Sequence, residues 1–318
     1  MSATLLLTGG LGYLGGRIAQ ALVDAGYTVR CGSRREQPAP SWLPQMQMVR
    51  LDWGDMDSLV RACEGVSAVV HLAAMNEIES ARDPLGALRM NGLASLALLT
   101  AAQQAGVGRF VYFSTAHVYG APLQGEIDET TLARPVHPYA ITHRVAEDFV
   151  LAAHDQGRLD GVVFRLSNAF GAPMTHEVDR WTLLVNDLCR QAAAQGELRL
   201  NSTGLQLRDF VTLGDVARAS AHVLGLSRTA LGGGLFNLGG HAYSVLEMTE
   251  RVARRWQAMT GKAIAIHRQD GPGPTPLPLH YHYARLRDTG FEWTHRFDQE
   301  IDATLRLSLD AFGPGATR

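Results

Sequence analysis

Four glycines near the amino terminus have a spacing that suggests chemistry. Thr8-Gly9-Gly10-Leu11-Gly12-Tyr13-Leu14-Gly15 follows a short apolar run and opens an amphipathic stretch. Gly10, Gly12 and Gly15 satisfy G-x-G-x-x-G, and Gly9, Gly12 and Gly15 satisfy G-x-x-G-x-x-G. Glycine allows a sharp turn, close approach of backbone to a pyrophosphate, and tight packing of helix on strand. The helix that follows presents free N–H groups and the positive end of its dipole. The spacing therefore predicts a dinucleotide-phosphate cradle made by Gly9, Gly12, Tyr13, Leu14 and Gly15.

The end of the second strand bears on which dinucleotide binds. An NAD site usually carries Asp or Glu there, bonded to the ribose 2′-hydroxyl. This chain reads Gly32-Ser33-Arg34-Arg35, with no acid. Ser33 and Arg34 suit a 2′-phosphate, because a guanidinium fork matches that dianion. NADP(H) is favoured, with NAD(H) as the alternative. Asp52 and Trp53 follow the third strand and are expected beside the adenine. Further on, Tyr139 and His143 stand four apart after Pro138, so one helix face carries both. Ser114 and Thr115 close a strand and sit at the sheet's carboxyl edge.

These residues need a scaffold, and the patterning supplies one. Strands are predicted over Thr4–Thr8, Tyr27–Gly32, Met46–Leu51, Ser67–Leu72, Arg109–Ser114 and Gly161–Leu166. Helices are predicted over Gly12–Ala25, Asp55–Cys63, Pro84–Ala105 and Tyr139–Gln156. Alternation of this kind gives an α/β fold, a Rossmann-type doubly wound parallel sheet. Residues 1–172 read as the dinucleotide domain. Residues 173–318 read as a smaller C-terminal substrate-binding lobe, with some segments returning to the sheet. Its helices are expected at Asp179–Gln195, Asp215–Ser227, Ser244–Thr260 and Asp298–Ala311. Gly271–Pro278 is a loop by composition, and the tail Gly313–Arg318 is expected to fray.

Bulk properties exclude other classes. The 318 residues carry a formal net charge of −2, so no basic surface points to nucleic acid or an anionic membrane. Cys31, Cys63 and Cys189 are odd in number and far apart, which predicts neither disulfides nor a metal cluster. The 12 histidines lack ligand spacing, so no metal is expected. No leader is read at the amino terminus, and no apolar run approaches the roughly 20 residues of a membrane span. A cytoplasmic location is expected.

Nearly end to end, the chain resembles the extended short-chain dehydrogenase/reductases, which include nucleotide-sugar epimerases, dehydratases and reductases. TGGLGYLG at 8–15, HLAA at 71–74, Asn91, STAHVYG at 114–120, HPYAITHRVAED at 137–148, RLSNAFGAP at 165–173 and LRDFVTLGDVA at 207–217 carry the likeness. The resemblance implies Tyr139 as acid/base and Thr115 as its hydroxyl partner. It also implies Leu72, Ala73, Ala74 and Asn91 at the cofactor. Ala116, His117, Asn168 and Arg208 would stand at the substrate, Arg208 toward a diphosphate. Tyr119 reads as packing. A homodimer through the two long helices, 84–105 and 139–156, is implied as well.

Three departures matter. The family has Lys where this chain has His143. A fixed cation about 6 Å from the tyrosine, at an effective dielectric near 20, is worth roughly 2.8 kcal/mol, or about 2 pKa units. A histidine is mostly neutral at pH 7 and loses most of that help, although it can still bond ribose hydroxyls. The protein is then a slower enzyme, a histidine-adapted one, or a binding protein without chemistry. Ala116-His117 replaces the dehydratases' Asp-Glu, which discounts dehydration. Arg268 stands near the family's second diphosphate arginine, in an altered context. Three functions stay open: an NAD(P)-dependent (nucleotide-)sugar epimerase, an NADP-dependent reductase or dehydrogenase of a keto-sugar, and a non-catalytic dinucleotide sensor.

Overall fold

The computed structural model describes residues 2–271 and 277–315. Seven strands form one parallel sheet: β1 (Thr4–Thr8), β2 (Thr28–Ser33), β3 (Gln47–Arg50), β4 (Ala68–His71), β5 (Arg109–Thr115), β6 (Asp160–Leu166) and β7 (Leu235–Leu238). Their order is β3-β2-β1-β4-β5-β6-β7, and every neighbouring pair is parallel. Chain order reverses between β1 and β4, which opens a crevice at their carboxyl ends. This is the Rossmann-type doubly wound sheet that the alternation predicts.

Helices α1 (Tyr13–Asp24), α2 (Met56–Cys63), α3 (Glu77–Arg82), α4 (Pro84–Gln104) and α5 (Pro138–Asp155) belong to the sheet half. The longer helices that follow are α6 (Leu184–Gln195), α7 (Leu213–Gly225), α8 (Val245–Thr260) and α9 (Phe297–Phe312), with short helical segments at Arg228–Leu231 and Ala284–Asp288. Because helices cover both faces, the central strands are apolar on both sides, and all of Ala68-Val69-Val70-His71 is buried. Leu5, Leu7 and Phe164 pack with Ile18, Leu22 and Val216 on the α1–α7 face. Leu6, Val69 and Phe110 pack with Leu59, Leu98 and Val150 on the other.

Beyond residue 172, α7 and β7 return to the sheet half. The lobe proper has its own core, where Val185, Leu188, Val252 and Ile301 enclose Phe170 and Phe210. Arg17 of α1 joins the halves through Glu300 of α9 at 2.6 Å, and donates to the Ala172 carbonyl at 3.0 Å.

Several expectations need correction. The predicted helix from Pro84 is not uniform: Leu88–Leu93 is π-helical. The wider turn accommodates Asn91, whose amide binds two other segments. α6 starts at Leu184 rather than Asp179, because residues 176–183 form turns pinned by the Trp181 indole donating to the His176 carbonyl at 2.9 Å. Pro84–Gln104, at 21 residues and a mean hydropathy of 1.3, is long and apolar enough to cross a membrane by length and composition, contrary to the sequence reading. Half of that window is buried within the protein, where Leu98 and Ala102 pack on the sheet. Of the proline-rich loop, residues 272–276 lie outside the described residues, as do the last three of the tail.

A buried hydrogen-bond chain fixes the crevice. Thr8 Oγ1 meets His71 Nδ1 at 2.6 Å, His71 Nε2 meets Ser95 Oγ at 2.8 Å, and Ser95 donates to the Asn91 carbonyl at 2.7 Å. Ser95 spends its proton on Asn91, so His71 donates through Nε2 and accepts at Nδ1 from Thr8. The ring is neutral, and burial pushes its pKa down to about 3. In the unfolded chain it protonates near pH 6.5. The unfolded state therefore binds more protons below pH 6.5, and stability falls as pH drops through that window. Between pH 7.5 and 5, His71 alone should cost about 2 kcal/mol. His71→Gln should be less stable at pH 7.5 yet lose less on acidification, read from urea midpoints at both pH values. An undiminished acid loss would mean that the ring titrates in the fold no lower than in the unfolded chain.

Candidate active site

The carboxyl ends of β1, β2, β4, β5 and β6 open into one cleft of about 1120 Å³. Gly9, Gly12, Tyr13, Leu14 and Gly15 line its floor, as the glycine spacing predicts. Gly9 has φ +71°, and a Cβ there would stand 3.0 Å from the Ala73 nitrogen. A Cβ on Gly15 would lie 2.0 Å from the Gly9 carbonyl oxygen, so α1 can start this close to the turn only with glycine. No side chain caps α1, leaving its first N–H groups for an anion. This cradle fits a dinucleotide pyrophosphate. The Tyr13 hydroxyl does not serve a ligand directly: it lies 3.1 Å from the Gly171 carbonyl and 3.2 Å from Asn186 Oδ1, tying the cradle to α6.

Ser33, Arg34 and Trp53 line the same cleft, as do Leu72, Ala73 and Ala74. Ser33 Oγ accepts from the Arg35 amide at 3.2 Å and from Gln37 at 2.8 Å, which orders the loop beside Arg34. Three expected contacts are absent from the cleft wall among the described residues. Asp52 is exposed and accepts from the Gly54 amide at 3.0 Å, so it builds the turn that presents Trp53. Asn91 is fully buried, accepting from the Met75 amide at 2.7 Å and donating to Thr142 Oγ1 at 3.0 Å. Its polar atoms hold the wall from behind. Ala116 packs with Ile127, Leu279 and Tyr281 instead of facing substrate. Arg268 also lies off the cleft, donating to the Thr203 carbonyl at 3.2 Å.

Tyr139 and His143 both face the cleft, their ring centroids 4.1 Å apart. α5 begins where it does because His137 caps it, its Nδ1 accepting from the Tyr139 amide at 3.2 Å, and Pro138 follows at the first helical position. His143 is 2% exposed, and its Nδ1 donates to the Tyr139 carbonyl at 2.8 Å. That bond leaves Nε2 as an acceptor. Burial lowers the imidazole to about 4, so it is neutral at pH 7. The crowded wall raises the Tyr139 phenol to about 12.

Thr115, His117, Asn168 and Arg208 complete the cleft opposite. Thr115 is 5% exposed, its Oγ1 accepting from the His117 amide at 3.2 Å. Beneath it, Ser114 donates to Glu147 at 2.9 Å, and Glu147 also takes Arg165 and Arg144. This buried cluster joins β5, β6 and α5 under the two hydroxyls. Asn168 donates to the Asp209 carbonyl at 2.9 Å, which leaves its amide oxygen available. Tyr119 packs as expected, its hydroxyl on Asn237 at 2.7 Å and Arg165 over its ring. Sequence reasoning assigned no role to His71 and Glu147, although they fall within HLAA and HPYAITHRVAED, and passed over Glu77 and Arg180, because distant segments supply the partners of all four.

A threonine and a tyrosine at the head of a dinucleotide cleft are suited to moving a proton from a sugar hydroxyl. The chain is also similar to known proteins over most of its length. Residues 5–239 match the NAD dependent epimerase/dehydratase family. The chain is 30% identical to a UDP-glucose 4-epimerase of Azospirillum brasilense, over 97% of this chain and 91% of that one. The structure of MoeE5 in complex with UDP-glucose and NAD superposes with a TM-score of 0.76 at 26% identity, covering 96% of this chain and 98% of that one. A UDP-glucose 4-epimerase of Thermus thermophilus, in complex with NAD, gives 0.77 at 25%, with 96% and 98% covered. With residues 5–239, well over half its length, matched by the family model, the chain belongs to the NAD dependent epimerase/dehydratase family.

Proposed function

We propose that the protein is an NAD(P)-dependent 4-epimerase of a nucleotide-sugar, with a nucleoside-diphosphate hexose as substrate. The observation that carries this reading is that Tyr139, Thr115, Asn168 and Arg208 line one cleft with the glycine cradle. The bound nicotinamide supplies the hydride acceptor and donor. Gly9, Gly12, Leu14 and Gly15 hold its pyrophosphate, with Ser33, Arg34 and Trp53 toward the adenosine. His143 accepts from a ribose hydroxyl through Nε2. Tyr139 takes and returns the proton of the sugar hydroxyl, Thr115 orients that hydroxyl, and Arg208 meets the diphosphate. Ala116-His117 in place of an acidic pair speaks against dehydration.

General acid–base catalysis of this kind contributes roughly 10²–10⁴ in rate. Tyr139→Phe should therefore lose at least a hundredfold in turnover while retaining cofactor. Unchanged turnover would overturn Tyr139 as the acid/base, whereas no turnover in the unsubstituted protein would leave a binding protein. His143→Lys should raise turnover near neutral pH by restoring a cation beside the phenol. A dead His143→Lys variant with intact cofactor binding would instead mean that the site is adapted to histidine.

For the cofactor, Ser33-Arg34 with no acid at the end of β2 supports NADP(H), whereas the solved relatives named above hold NAD. NADPH should bind more tightly than NADH, and the nucleotide released on denaturing fresh protein, read by mass spectrometry, should be NADP. Stoichiometric retained NAD would overturn that preference and fit a self-regenerating epimerase. Traces only, with NADP(H) binding on addition, would favour the reductase or dehydrogenase reading, which the same Ser33-Arg34 feature supports.

Leu85, Leu88 and Leu93 on α4 and Ile141 and Phe149 on α5 are exposed apolar residues on the two helices expected to pair. They support a homodimer, and three buried free cysteines fit a reducing, cytoplasmic setting. Sedimentation should give twice the mass of the chain, and Leu93→Asp should shift it toward the monomer. A monomeric unsubstituted protein would end the dimer reading.

A further inference from the structure

His143 leaves the proposed acid/base without a cation on the cleft face of its own helix, because Arg144 is paired with Glu147 and Asp148 and does not line the cleft. Lys262 is the only lysine in the sequence and does not line the cleft. Any fixed positive charge at Tyr139 must therefore come from an arginine. Arg34, Arg82, Arg180 and Arg208 are the arginines on the cleft wall among the described residues. Arg34 stands at the end of β2, and the charge of Arg208 bears on His117. Arg82 is exposed at the far end of α3, whereas Arg180 is the one that pairs with Glu77, on the helix packed against that of Tyr139, and its charge works to lower the phenol pKa.

Arg180 is well anchored. Its amide donates to the Val178 carbonyl at 2.8 Å, and its carbonyl accepts from Asn186 of α6 at 3.4 Å. The next residue, Trp181, is 8% exposed and packs edge-on against Phe312 of α9 at 4.9 Å. The guanidinium reaches across to the sheet half, where Nη1 donates to Glu77 Oε2 at 3.3 Å. Glu77 opens α3, which packs on α5, the helix that carries Tyr139. One anchored cation from the lobe and one carboxylate from the sheet half thus meet on the wall that holds the phenol.

We infer that Arg180 is the electrostatic partner of Tyr139, a positioning residue that supplies from the lobe the positive charge that α5 does not present to the cleft. Glu77 holds Arg180 in place and offsets part of its charge. The charged and titratable groups facing Tyr139 are His143 on its own helix, Tyr112 from β5, Glu77 from α3 and Arg180. His143 is neutral and the Tyr112 phenol is pushed far up by burial, so the ion pair is the adjustable element. An opposite charge near a titrating group favours its ionised form, and a like charge disfavours it. The two partners therefore have opposite effects on the same phenol. The inference rests on reading Tyr139 as the acid/base.

The test titrates Tyr139 directly. Protein labelled with 3-fluorotyrosine titrates in an accessible pH range, and the ¹⁹F resonance missing from Tyr139→Phe identifies the residue. Arg180→Gln should move its titration up by about one pH unit, and Arg180→Lys should leave it near that of the unsubstituted protein. Glu77→Gln should move it down, and turnover at neutral pH should rise accordingly. Opposite shifts from two partners of one ion pair are not expected from loosened packing. An unmoved Tyr139 resonance in both neutral variants would overturn the inference. So would loss of UDP-sugar binding in Arg180→Gln with an unmoved titration, which would make Arg180 a substrate contact. The expected shifts in a protein whose Tyr139→Phe variant keeps its turnover would support the coupling and overturn the acid–base reading alone.

Discussion

Beneath the cleft, one run of buried hydrogen bonds passes from Thr8 through the His71 ring and Ser95 to Asn91, and from Asn91 to Met75 and Thr142. It joins the ends of β1 and β4, the π-helical turn of α4 and the first turn of α5. Each group has its partner, so burial carries little penalty, whereas loss of any one would strand a neighbour in a dry interior. The Leu72 and Ala73 amides also lie 3.3 Å from Thr8 Oγ1, which sets the strand end against which Gly9 packs. The glycine cradle and the tyrosine helix thus share one buried foundation, although 130 residues separate Gly9 from Tyr139.

A second foundation lies under Thr115. Glu147 gathers Ser114, Arg144 and Arg165 in a site where the carboxylate is fully buried. Taking one partner from a buried ion pair typically costs about 3–5 kcal/mol, because the other charge is left uncompensated. The hydroxyl end of β5 and the helix bearing Tyr139 are consequently held to one geometry. That rigidity suits a site whose proposed chemistry needs two hydroxyls at fixed separation.

Electrostatically the site is unusual. Its histidine is kept neutral by burial, which outweighs the opposing pull of its Nδ1 bond to the Tyr139 carbonyl, and burial raises its tyrosine. Positive charge enters from the lobe, on side chains that belong to other elements. The lobe therefore does more than wall the cleft: Tyr13 and Arg17 tie it to the first helix, and Arg180 and Arg208 bring its charges to the cleft.

Much of this was legible in the chain. Alternating apolar runs specify a parallel sheet because both faces must be covered, and all six predicted strands form within a residue or two. Gly9 and Gly15 mark the turn because a positive φ at the one and a 2.0 Å approach at the other exclude a side chain, and Gly12 is tightly placed between them. Tyr139 and His143 share a face by helical spacing alone. Local rules of this kind act over a few residues, and a sequence displays them directly. Asn91, Asp52 and Ala116 were misjudged because a side chain's partners decide whether it faces a ligand or braces a wall, and those partners are distant in sequence. The π turn of α4, the late start of α6, the neutral state of His71, the Glu147 cluster and the Glu77–Arg180 pair are likewise products of tertiary contact. Burial and long-range pairing set charge states and orientation, and only the folded chain brings those groups within reach of one another.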